Sequence, residues 1–315
     1  MPTDSSETPR MVLAVDHRFD LFTKLLSASP VHPAAAERER AADLKQVVFE
    51  GLLKAIENGV PKSQAAIWTD SDLGEAILLR GRSMNLNTMM SVERARVAEF
   101  RFENALGFSE RLANLDVTYA AARVPYNPGE EMQVNEAQQR KLRRLSEISR
   151  SSGPGLLLEL FMRPTQAQID QSGSIEAWNA GVRPGLIVQA IRELQDAGVE
   201  PDLWALRGID NTAAMATATA QAQVDDRKTG VLFTLGDDFA LESKQSSDLA
   251  EDLINLAART PGCRGLVIGP AVYAEELRLY NDGEIERDDA GARIAEHYNA
   301  AFTSYTTALR TSDVA

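Results

Sequence analysis

Apolar residues in this chain come in short continuous runs. Each run is closed by charged residues, glycine or proline and is followed by a longer stretch with helical periodicity. The first, Met11–Val15, ends abruptly at Asp16, His17 and Arg18. A run of this kind suits a strand buried on both faces, and charge at its carboxyl end lies where parallel α/β proteins place ligands. Three similar runs follow: Gln64–Trp68 before Thr69 and Asp70, Met84–Met90 before Glu93, and Asp116–Val124 before Pro125-Tyr126-Asn127-Pro128. Then come Leu156–Phe161 with Glu159 inside it, Leu203–Leu206 before Arg207-Gly208, Gly230–Leu235 before Gly236-Asp237-Asp238, and Gly265–Ile268 before Gly269-Pro270.

The intervening periodicity predicts helices at Phe19–Ser27, Ala34–Asn58, up to about Leu79 with Gly81 as breaker, Arg94–Leu106 and Asn135–Arg150. Further helices are predicted at Pro184–Ala197, Thr212–Val224, Asp248–Ala258 and Ala290–Thr307, with Pro164–Asn179 a loop holding a short helix. Strict alternation predicts a parallel sheet. Eight such units fit a single (β/α)8 TIM barrel over residues 11–308, with a disordered tail at 1–10 and a second tail at 309–315.

Composition narrows the partners. With a net charge of −13 the chain is a poor match for nucleic acid, whose binding relies on Lys and Arg neutralising phosphates. No apolar run approaches the roughly 20 residues of a membrane span, and the polar N-terminus lacks a signal-peptide pattern, so the expected location is the cytoplasm. Cys263 is the single cysteine, which excludes an internal disulfide and a thiolate zinc cluster.

In a barrel of this class the site is built from the carboxyl ends of the strands. The candidates are therefore Asp16, His17, Arg18, Asp70, Glu93, Arg123, Glu159, Arg207, Gly236 and Gly269. Glu159 interrupts an otherwise apolar strand, where an unpaired carboxylate is costly. Either a cation satisfies it, such as a strand-end arginine, or its pKa is raised and it serves as a general acid or base. Asp16 and Arg18 share one face of the chain and His17 takes the other, as a base or as a packed imidazole. His32 and His297 are dispersed, so a histidine metal site is not expected. A carboxylate Mg²⁺ site from Asp16, Asp70, Glu93 and Glu159 is the one metal option. Gly236 and Gly269 fall where barrels often hold phosphate, or are simple turn glycines, and Asp237 and Asp238 oppose an anion there. No nucleophile elbow, Walker motif or dinucleotide glycine pattern is present.

Several stretches together carry a resemblance: LAVDHR at 13–18, YNP at 126–128, LLLEL at 156–160, RP at 183–184, GVEPDLW at 198–204 and GLVIG at 265–269. In this order they resemble the aldolase-like domain fused to 5-dehydro-2-deoxygluconokinase in inositol catabolism, the 2-deoxy-5-keto-gluconate-6-phosphate aldolase. That domain is similar in turn to tagatose-bisphosphate-type class I aldolases. The resemblance implies a class I aldolase-type barrel acting as a carbon–carbon lyase on a sugar acid or sugar phosphate. It also implies a lysine on the fourth strand and a Schiff-base lysine on the sixth. Here those positions are Ala121 and Ala205, and the glycine–arginine pair expected to hold phosphate on the eighth strand is Gly269-Pro270.

The lysines of the chain are Lys24, Lys45, Lys54, Lys62, Lys141, Lys228 and Lys244, none in a predicted strand or at its carboxyl end. An imine needs a desolvated amine in the site. Strand parity instead puts Arg123 on the face of Ala121 and Arg207 on the face of Ala205. Arginine cannot form an imine but can clamp a carboxylate or phosphate; alternatively Arg123 and Arg207 pair with Glu159, Asp16 or Glu93 and merely stabilise the site. Two functions follow. One is a lyase without an imine, with Glu159 as acid/base, Asp16 as its partner and Arg18, Arg123 and Arg207 as clamps. The other is a non-catalytic ligand-binding or regulatory paralogue, a pseudoenzyme whose partner is a second copy or an active, lysine-bearing homologue. No cofactor is expected beyond a weakly indicated Mg²⁺.

Overall fold

The structure is a computed structural model that describes residues 10–16, 21–29, 32–94, 99–103, 107–235 and 246–312. Its centre is a closed barrel of eight parallel strands in sequence order. The strands are β1 (Met11–Ala14), β2 (Ala65–Asp70), β3 (Asn87–Ser91), β4 (Tyr119–Pro125), β5 (Gly155–Phe161), β6 (Leu203–Arg207), β7 (Gly230–Thr234) and β8 (Cys263–Ile268). β1 pairs with β8 as well as β2, which closes the ring. This is a (β/α)8 TIM barrel.

Alternation along each strand divides the core in two. Met11, Leu13, Ala65, Ile67 and Trp204 face the surrounding helices, while Val12, Ala14, Ala66, Trp68, Met89, Tyr119, Ala121, Leu157, Leu203, Ala205, Leu232 and Val267 fill the barrel. Trp68 is the bulkiest interior side chain, and its indole N–H donates to Ser91 Oγ at 2.9 Å. It shares that interior with Ala14, Ala66, Ala121 and Ala205, small residues that leave volume for an indole.

The helices form the outer layer: α1 (Ala35–Glu57), α2 (Glu75–Ser83), α3 (Phe108–Leu115), α4 (Met132–Ser152), α5 (Gln166–Ser172) and α6 (Ile175–Gly181). They continue with α7 (Arg183–Asp196), α8 (Thr212–Ala222), α9 (Ser246–Arg259), α10 (Ala274–Asn281) and α11 (Arg287–Ser312). α11 lies against α1 and is tied to it by Arg287 and Glu50 at 2.8 Å. No helix among the described residues is long and apolar enough to cross a membrane.

Several details differ from the sequence expectation. Phe19–Ser27 contains a single π-helical turn, Leu21–Leu25, among its described residues. Of the helix expected at Arg94–Leu106, the described residues 94 and 99–103 are not helical. Glu93 bridges Phe102 in antiparallel fashion, and Arg94 N–H donates to the Arg101 carbonyl at 2.8 Å. The helix starts only at Phe108, after Gly107 takes a φ of +80°. Phe100 meets Phe102 edge to face at a centroid distance of 5.0 Å, and Phe102 meets Phe108 at a tilt at 5.2 Å, an aromatic cluster that anchors this segment. The Pro164–Asn179 segment forms two helices, the first opened by a capping box between Thr165 and Gln168 and the second by Ser174. The closing helix runs from Arg287 to Ser312, beyond its expected bounds of Ala290–Thr307. The expected tail at 1–10 falls, apart from Arg10, outside the described residues.

Gly81 does not break α2 but lies within it, facing β3. A Cβ there would fall 2.7 Å from Thr88 Cγ2. Gly81→Ala is therefore expected to destabilise the protein, because overpacking of about 1–3 kcal/mol outweighs roughly 1 kcal/mol of improved helix propensity. A urea titration checks this, and a stabilised variant would show that Thr88 can give way.

Candidate anion site at the barrel mouth

Four neighbouring strands deliver one polar layer to the carboxyl end of the barrel. The inward faces of β4, β5 and β6 run Ala121–Arg123, Leu157–Glu159 and Ala205–Arg207, and β7 adds Thr234 beyond Leu232. Register sets Arg123 beside Glu159, Glu159 beside Ala205 and Arg207 beside Thr234. Glu159 lies completely buried at the centre of the layer.

Its oxygens are taken by cations and a hydroxyl. Arg123 Nε donates to Oε2 at 2.6 Å, while Arg207 Nη2 and Thr234 Oγ1 donate to Oε1 at 3.0 and 2.9 Å. Arg123 also reaches Asp16 Oδ2 at 3.6 Å and lies 6.0 Å over the Trp68 ring. Burial alone would raise the Glu159 pKa, but the charges and hydrogen bonds of Arg123 and Arg207 outweigh it and hold the carboxyl well below the usual range. Of the two ways to satisfy this carboxylate, the structure takes the ion pair. A general acid or base needs a pKa near the working pH, and the two arginines draw Glu159 away from it.

Asp16 follows β1 and is 8% exposed, close enough to join this layer through Arg123. Glu93 lies two residues past β3, buried, and contributes to the electrostatic hold on Arg123. Asp70, although on the same strand face as Ala66 and Trp68, is engaged at the end of β2. Its Oδ1 accepts from the N–H groups of Asp72 and Leu73 at 2.9 and 2.8 Å, and its Oδ2 pairs with Lys45. Gly269 closes β8 and accepts from Val272 N–H at 3.0 Å in a turn. His17, Arg18 and Gly236 lie outside the described residues. Among the described residues no group of three or more His, Cys, Asp or Glu is arranged to hold a metal. The carboxylate set proposed for Mg²⁺ does not converge, because Asp70 and Glu159 are each drawn to their own cation.

Two residues escaped the sequence reading. Thr234 follows the parity of β7 and could have been read from it. Lys45 is the more consequential, and it corrects the expectation that no lysine reaches a strand's carboxyl end. It is fully buried on α1 and donates to Asp70, to the Val15 carbonyl and to Thr69 Oγ1 (3.5 Å), thereby joining the ends of β1 and β2. The signal was present: Lys45 falls in the buried stripe of Ala41, Leu44, Val48 and Leu52.

Residues 3–308 match the family described as "Uncharacterized protein conserved in bacteria (DUF2090)". The chain belongs to the DUF2090 family. No curated protein sequence matches this DUF2090 chain. Among solved structures it is similar to Cgl0159 from Corynebacterium glutamicum, with 12% identity, a TM-score of 0.56 and coverage of 93% of this chain and 86% of that one. It is equally similar to an archaeal fructose 1,6-bisphosphate aldolase, with 12% identity, a TM-score of 0.56 and coverage of 93% and 94%. A fructose-bisphosphate aldolase from Slackia heliotrinireducens gives 13% identity, a TM-score of 0.52 and coverage of 93% and 87%. At these identities the likeness concerns the fold alone, a TIM barrel.

Proposed function

We propose that this DUF2090 protein takes the carboxylate or phosphate of an open-chain sugar at its barrel mouth and does so without forming an imine. One observation carries the reading: the inward positions 121 and 205 are alanine, and the next inward positions hold arginines gripping Glu159. A guanidinium offers five donors in a fixed plane and stays charged, which suits anion recognition and forbids Schiff-base chemistry. Arg123, with its side chain 25% exposed, reaches the mouth. Lys45 does not supply the missing amine, because Asp70 and the Val15 carbonyl engage it at zero exposure.

The sugar comes from the fold and the resemblance. Two structural neighbours are fructose-bisphosphate aldolases. The sequence resembles the 2-deoxy-5-keto-gluconate-6-phosphate aldolase of inositol catabolism, which points to a sugar acid or sugar phosphate handled in the cytoplasm. On this reading the protein is a ligand-binding or regulatory relative, with a second copy or a lysine-bearing homologue as partner. A second reading, carbon–carbon cleavage without an imine, has one observation in its favour. The Asp16 carboxylate stands 3.6 Å from the Arg123 guanidinium, an arrangement in which one group could accept a proton and the other stabilise an enediolate. In that reading Glu159 orients the cations and does not transfer protons.

Borohydride trapping with phosphorylated and carboxylated keto sugars, read by intact mass, tests the imine claim. No covalent adduct is expected, and an adduct on Lys45 or any other lysine would overturn it. The same compounds should raise the melting temperature of the wild type, and Arg207→Ala should abolish that response. A ligand response unchanged in Arg207→Ala would remove the anion site from this layer.

A further inference from the structure

The stretch from α5 to the start of α7 reaches toward both strands that flank Glu159. On the β4 side, Gln168 of α5 exchanges hydrogen bonds with Asn127, its Nε2 donating to Oδ1 at 3.1 Å and its Oε1 accepting from Nδ2 at 2.8 Å. On the β6 side, Arg183 opens α7 and lies against Gly208, the residue that follows Arg207. A Cβ at Gly208 would fall 2.0 Å from Arg183 Cζ and 2.2 and 2.5 Å from its two terminal nitrogens, so the guanidinium plane covers the Gly208 Cα. Arg183 is only 6% exposed. It donates to Asn179 Oδ1 at 3.2 Å and sits 5.8 Å over the ring of buried Trp178. Gly208 itself has a φ of +73°, the left-handed region that favours glycine.

We propose that Arg183 is a positioning residue for the mouth: wedged between the Trp178 ring and the Gly208 turn, it fixes the β6 exit and thereby the angle at which Arg207 meets Glu159. Gly208 is a glycine for two reasons, its backbone conformation and the space that the guanidinium occupies. Lysine would keep the charge of Arg183 but lose the flat group that covers the turn. The inference deepens the anion-site reading and rests on it for what the mouth binds, while the mechanical link from Arg183 to Glu159 stands apart from any ligand.

Two double-mutant cycles on the urea-unfolding equilibrium test that link. In the first, Gly208→Ala is measured alone and in an Arg183→Ala background. The substitution should be several-fold less damaging where the guanidinium is gone, and an equal penalty in both would refute the stacking. In the second, Arg183→Lys is combined with Glu159→Gln, residues joined by no hydrogen bond or ion pair of their own. A purely local role predicts additive effects within about twofold, whereas positioning through Arg207 predicts a departure of about fivefold or more. Additivity would overturn the proposal. The second cycle decides the matter even if Gly208→Ala does not accumulate.

Calorimetric titration with 6-phospho-D-gluconate and D-gluconate supplies the ligand arm. Arg183→Lys, folded by circular dichroism, is expected to weaken probe binding about tenfold, equivalent to about 1.4 kcal/mol. Unchanged binding by that variant would overturn a role in the site. A wild type that binds neither probe counts against the anion reading, while the second cycle still decides the positioning.

Discussion

Glu159→Gln is expected to lower the free energy of unfolding at neutral pH by about 3–5 kcal/mol. The substitution keeps the shape of the side chain and removes the charge that compensates two guanidiniums, one of them only 7% exposed at its side chain. The pH dependence gives the sharper result. The folded-state pKa of Glu159 lies below its ordinary value, so its contribution is present above the unfolded carboxyl pKa of about 4.3 and is lost as the pH falls through the folded value. The gap between wild type and variant should therefore be largest at neutral pH and narrow on acidification below about pH 4. A raised pKa would give another profile: glutamine would mimic the protonated acid and cost little at pH 7. Urea titrations of both proteins across acid and neutral pH distinguish the two.

Lys45→Met is expected to be comparably severe, at about 3–5 kcal/mol. It leaves the Asp70 carboxylate, at zero side-chain exposure, without its ammonium partner, and it strips a donor from the buried Val15 carbonyl. Methionine nearly matches the lysine stem in volume, so the loss reports charge and hydrogen bonding more than cavity formation. Adding Asp70→Asn should restore a good part of the stability, because the buried charge goes while Oδ1 can still accept from the N–H groups of Asp72 and Leu73. If the single variant unfolds within 1 kcal/mol of wild type, the Lys45–Asp70 pair does not hold the ends of β1 and β2.

The two sites show how far the chain could be read before it was folded. Period-two spacing made it legible that Arg123 shares a face with Ala121 and Arg207 with Ala205. The burial of Glu159 was legible too, because it interrupts a run of leucines. Pairing with Arg123 and Arg207 was legible as one alternative, but the choice among Glu159, Asp16 and Glu93 and the part of Thr234 were not, since the groups lie 36, 48 and 75 residues from Glu159 along the chain and meet only through strand register. Lys45 lies on a helix rather than at a strand end, yet its place in the apolar stripe of α1 marks it as buried. The excursion after β3 departs from the expected helix where Phe100 and Phe102 pack edge to face and Glu93 bridges Phe102, contacts that form only in the folded chain.

What the sequence by itself determined is the alternation of buried strands and amphipathic helices, and with it the eightfold parallel barrel and the polar character of its strand ends. Those properties depend on periodicity within short windows, which local residues dictate. The tertiary structure decided that Glu159 is an ion held by two arginines, that Asp70 belongs to Lys45, and that Arg183 covers Gly208. Each of these is a contest among several nearby opposite charges or surfaces. Closing the barrel resolves it, because only then do register and burial fix which groups stand within hydrogen-bonding reach of one another.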